Sequence, residues 1–144
     1  ASAPAHEVIM RDANVRALFG VAAVYDFLLG LVFLCFGPRL FAAVGLSQPN
    51  HWGYIQFAAL QLMVFAAMFA AIARDPLANR NLVPYGMLLK LAYVGLVSYY
   101  WATGDCPWIF KPFALVDAAM LVLFGIALRG PAAQRVGPAA EGEA

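Results

Sequence analysis

Four apolar stretches decide what this chain can become, because each has about the 20 residues a helix needs to cross about 30 Å of hydrocarbon. They run roughly over residues 17–36, 54–73, 82–102 and 109–128. Helix breakers close each one: Gly37-Pro38, Asp75-Pro76, Gly104 with Pro107, and Gly130-Pro131. Pro84 and Pro112 fall in the first turns of the third and fourth stretches, where a missing N–H costs little. The stretches lack the alternation of a lipid-facing strand, so helices are the element that satisfies their backbone in a bilayer. The expected fold is all-α, an integral membrane four-helix bundle.

Composition agrees. Of 144 residues, 64% are hydrophobic and 12% charged, with a mean hydropathy of +0.77. A soluble domain is about half apolar and about a quarter charged. A formal net charge of +1 without a basic run gives no support for nucleic-acid binding. The first stretch is too long for a signal-peptide core and reads as a retained span.

Loop arginines and lysines set the expected orientation. Arg11, Arg16, Arg74, Arg80, Arg129 and Arg135 fall on one side, and only Arg39 and Lys111 on the other. The positive-inside rule then places both termini in the cytoplasm of a bacterial-type inner membrane. Trp52, Tyr54, Tyr99, Tyr100, Trp101 and Trp108 collect at the outer interface as an aromatic belt. Residues 1–16 read as a cytoplasmic N-terminal segment, 17–129 as the bundle and 130–144 as a disordered tail. The longest outer loop, residues 37–53, contains the apolar run Arg39 to Val44, which suggests a short helix lying in the interface.

The informative chemistry lies inside the spans. Asp26 sits near the middle of the first, Lys90 in the inner half of the third and Asp117 toward the centre of the fourth, with Gln61 at comparable depth in the second. At about 1.5 Å per residue, all four fall within one or two turns of a common depth. A charge there costs about 2.5–3.5 kcal/mol on insertion scales, so the expectation is convergence inside the bundle. One Lys90 neutralises one aspartate; the other must be protonated, hydrogen-bonded or wet. Tyr93 shares the helix face of Lys90, and Val97 and Tyr100 continue that stripe, whereas Tyr25 points about 100° away from Asp26. Gly20, Ala23 and Gly30 line the face of Asp26 and would admit a close neighbour. The group has two main readings: a satisfied network that fixes helix register, or a site binding a proton or the polar head of a ligand, with Asp26, Lys90, Asp117, Gln61 and Tyr93 as candidates. A third is that one of the charges, Lys90 first, snorkels to the inner interface.

Other signals are weaker. Cys35 and Cys106 fall at the same outer end and are candidates for a disulfide, with two free thiols as the other reading. No histidine occurs in a span, which argues against paired haem ligands. His51, beside Trp52, is a solitary interfacial histidine, and no grouping has metal-site spacing. Met63, Phe65, Met68 and Phe69 read as packing and lipid contacts.

Three strings, Tyr25-Asp26-Phe27-Leu28-Leu29-Gly30, Pro49-Asn50-His51-Trp52-Gly53-Tyr54 and Lys111-Pro112-Phe113-Ala114-Leu115-Val116-Asp117, resemble small bacterial DoxX-like membrane proteins. The resemblance covers residues 17–129 and implies a four-helix bundle. Members of that group are mostly uncharacterised and some are associated with quinone-linked oxidoreductases; the resemblance supplies no catalytic residue.

No residue set reads as catalytic and no cofactor is required. Small size and the absence of redox ligands favour a non-catalytic accessory or scaffold subunit of a larger membrane complex, an energy-converting one among the candidates, with lipids and other subunits or further copies as partners. The alternative is a stand-alone bundle binding a quinone, an isoprenoid or another lipid through Asp26, Lys90 and Asp117, with isomerase activity as its catalytic variant. A proton-coupled carrier would require an oligomer.

Overall fold

The computed structural model describes residues 5–129, with side chains from residue 12 onward. The described residues form four α-helices and no strand: α1 (Ala5–Ala43), α2 (Gly53–Arg74), α3 (Val83–Thr103) and α4 (Phe110–Leu128). All four are long and apolar enough to cross a membrane. The bounds of α2, α3 and α4 fall within about a residue of those expected, because Gly53, Asp75-Pro76 and Gly104 punctuate them. The tail expected at residues 130–144 lies outside the described residues.

α1 is the departure. It takes in residues 5–16 of the expected N-terminal segment, which contain neither Gly nor Pro, and Asp12 and Arg16 lie one turn apart, 4.0 Å from each other. It also runs through Gly37-Pro38, so residues 39–43, expected as a separate interfacial helix, are its last turns instead. A proline inside a helix costs about 3 kcal/mol. Two features act against that cost. The Trp52 ring covers Gly37, where a Cβ would come within 3.0 Å of it, and meets Phe41 edge-on with centroids 5.3 Å apart. The helix then closes in a Schellman motif at Gly45 (φ 71°), with Gly45 N–H donating to Ala42 O and Leu46 N–H to Phe41 O.

The helices run up and down as two hairpins, α1 packed along α2 and α3 along α4, with much sparser contact between the pairs. Within the first hairpin the backbones approach closely at Gly30, where a Cβ would lie 2.7 Å from Ala59 O and 2.9 Å from Met63 Cγ. Gly20, on the face expected to admit a neighbour, has open space around it.

One end of the bundle is basic. There Arg16 donates to the carbonyls of Ala73 and Arg74 at the end of α2, and Arg80 donates to Leu128 O at the end of α4. Each guanidinium satisfies carbonyls that a helix leaves unpaired and sits at the negative end of its dipole. Asn79 adds to the first of these, donating to Ala71 O and Asp75 O, each at 3.0 Å. The opposite end carries Trp52, Tyr54, Tyr99, Tyr100, Trp101 and Trp108, and there Lys111 Nζ lies 4.8 Å from the Trp101 ring centroid.

The contiguous buried apolar cluster lies in the basic half, while Phe41, Ala59, Val97 and Ala114 are buried toward the other end. Phe19 and Ala22 of α1, Phe69 and Ile72 of α2, Val83 of α3, and Met120 and Phe124 of α4 form the cluster. Phe19 stacks on Phe124 at 4.5 Å, and Phe69 tilts against Phe124 at 5.3 Å and Phe19 at 6.0 Å. Lipid tails are as apolar as these rings, so the classical hydrophobic effect does not drive helices together in a bilayer. Dispersion and ring geometry do, at about 0.5–1.5 kcal/mol per aromatic pair. Gly86 lets α3 share in this packing, since a Cβ there would collide with the Phe69 ring.

Candidate functional site: a buried charge triad

Immediately above that aromatic core, toward the other end, three ionisable side chains meet. Asp26 comes from α1, one turn past Ala22; Lys90 from α3, one turn past Gly86; Asp117 from α4, one turn before Met120. Spacings of three and four residues put each on the inward stripe of its helix. Lys90 Nζ lies 2.7 Å from Asp26 Oδ1 and 2.9 Å from Asp117 Oδ1. Side-chain exposure is 0% for Asp26, 1% for Lys90 and 9% for Asp117.

The two contacts differ in length. Lys90 donates a hydrogen bond to Asp26 Oδ1. Its contact with Asp117 Oδ1 is an ion pair at the slightly longer 2.9 Å. Asp26 Oδ2 and Tyr25 Oη are buried without a hydrogen-bond partner. Two rings flank the ammonium: its Nζ lies 5.3 Å from the Tyr25 centroid and 5.7 Å from that of Phe69. A cation held over ring faces gains electrostatic stabilisation that desolvation strengthens.

The expected candidates therefore divide. Asp26, Lys90 and Asp117 come together. Tyr93 is half-buried on the stripe of Lys90, but its hydroxyl donates to Phe110 O at 3.4 Å, near the start of α4. Along that stripe Val97 is buried, whereas Tyr100 is exposed. Gln61 is exposed, about 200° round α2 from buried Ala59, and takes no part in the cluster. Tyr25, set aside on angular grounds, does belong. A tyrosine is long enough to lean across 100° of helix surface, and a helical side chain slants toward the preceding turn. Phe69, read as a packing residue, is fully buried and is both core and cage wall.

The remaining candidates stand apart from the triad. Cys35 and Cys106 are free thiols, Cys35 exposed and Cys106 half-buried, so the disulfide that their shared end suggests is not formed. His51 is exposed and its Nδ1 accepts a hydrogen bond from Gly53 N–H at 3.0 Å, a local turn contact. Among the described residues no group of His, Cys, Asp and Glu could hold a metal ion.

Chemically, the triad offers one ammonium to two carboxylates. It can lock α1 against α3 and α4, and it can bind a proton. In comparisons with known proteins, the chain matches no family model, no curated protein and no solved structure.

Proposed function

We propose that the chain is a non-catalytic accessory or scaffold subunit of a larger membrane complex, of the DoxX-like kind that its short strings resemble. The observation that carries this reading is that its intramembrane charges are turned inward. Asp26, Lys90 and Asp117 are nearly or fully buried and answer one another across 2.7 and 2.9 Å. Large apolar side chains stand outward on every helix, among them Val21, Phe57, Leu88 and Val122. A bundle locked from within and apolar without is suited to sit among other hydrophobic helices. The proposed setting is a bacterial inner membrane with the basic end in the cytoplasm. Arg16, Arg74, Arg80 and Arg129 supply that end, against Arg39 and Lys111 opposite.

A second reading has its own observation. Tyr25 Oη and Asp26 Oδ2 are buried without hydrogen-bond partners, and such groups are costly unless something satisfies them. The polar head of a quinone or isoprenoid reaching between the hairpins would do so.

Native mass spectrometry of the full chain, extracted gently from its own membranes, separates the two. Co-migration with other subunits supports the accessory reading. A lone bundle carrying a small bound mass overturns it in favour of the ligand reading.

A further inference from the structure

The charge count of the triad is unequal, and its geometry says where the inequality falls. Two carboxylates and one ammonium would leave a full negative charge beneath the surface of a membrane bundle, among Phe69, Tyr25 and Met120. An uncompensated ion in such surroundings is strongly disfavoured. We propose that the triad is a proton-binding site: Asp117 carries an exchangeable proton, while Asp26 stays ionised as the partner of Lys90.

The assignment follows from the two contacts. Asp26 accepts a hydrogen bond at 2.7 Å and has no exposed surface, so it is the carboxylate that the ammonium serves. Asp117 faces the same ammonium at the longer 2.9 Å and keeps 9% exposure, so it is both the less closely compensated acid and the one a proton can reach. The ionisable groups near it are few. α1 brings Asp26 and Tyr25 and α3 brings Lys90 and Tyr93, while α2 turns the Phe69 ring toward the ammonium. A metal cation would need several oxygens and room beside an ammonium already lodged between the carboxylates. A proton needs neither. The balance is simple: one carboxylate and one proton from bulk water give one carboxylic acid, and nothing is oxidised or reduced. The site is independent of whether the chain works alone or within a complex.

Infrared spectroscopy of the full chain in lipid bilayers at neutral pH tests this. The other six carboxyl side chains lie outside the spans in sequence. The wild type should show one protonated-carboxyl C=O band that shifts in D2O. D117E should move that band and D26E should leave it in place. D117N and D26N should each abolish it, since one acid facing one ammonium needs no extra proton. K90M should roughly double it. Absence of the band in the wild type, its persistence in D117N, or its movement in D26E instead of D117E would each overturn the proposal. The wild-type spectrum decides the first point even where a variant fails to fold.

Discussion

Lys90 Nζ lies 2.7 Å from Asp26 Oδ1 across 64 residues of sequence, and among the described residues this is the side-chain hydrogen bond that ties the first helical hairpin to the second. Elsewhere the hairpins meet mainly through the aromatic core of the basic half. In a bilayer, where lipid competes for every apolar face, a polar tie of this kind carries more of the specificity of assembly than it would in water.

The close approach of α1 and α2 rests on Gly30. Gly30→Ala would drive a Cβ to 2.7 Å from Ala59 O, a backbone atom that cannot swing aside. The expected loss is about 1–3 kcal/mol, as for other overpacked sites. Gly20→Ala, on the same helix with open space around it, should be neutral or gain about 0.5–1 kcal/mol. Unfolding in mixed micelles of both variants checks the contrast.

The two arginine caps should be separable from the triad. Arg80→Ala removes the donor to Leu128 O and Arg16→Ala the donor to Ala73 and Arg74 O. Arg16 is exposed, so its loss should cost only about 0.3–1 kcal/mol, weakening further at high salt. Arg80 is half-buried and should cost more. Thermal unfolding at two salt concentrations distinguishes them.

Both cysteines should alkylate without reductant. The denatured, unreduced chain should take up two maleimide labels, one at Cys35 and one at Cys106. Labelling that appears only after reduction would contradict the free thiols.

How far the sequence reveals this molecule depends on which periodicity a feature obeys. Span length and Gly/Pro punctuation locate α2, α3 and α4 closely, because a membrane helix must match the bilayer. Punctuation misleads at Gly37-Pro38, where Trp52 and Phe41 pack across the proline in a contact between residues eleven apart. Depth along a helix is a one-dimensional quantity and brings Asp26, Lys90 and Asp117 to one level. It does not give the face, so Gln61 shares their depth but stands exposed, and Tyr25 enters the cluster by reach instead of by angle. The thiols share an end of the bundle without being bonded, since a common level does not bring two Cβ atoms to bonding distance.

The central claim is that the Asp26–Lys90–Asp117 triad holds the two hairpins together, and unfolding of Lys90→Met in mixed micelles tests it most directly. Removing the ammonium leaves two buried carboxyls facing each other and should cost about 3 kcal/mol or more. Replacing all three residues together by apolar ones of similar size should restore most of that stability. A Lys90→Met protein as stable as the wild type, with the hairpins still packed, would contradict the account.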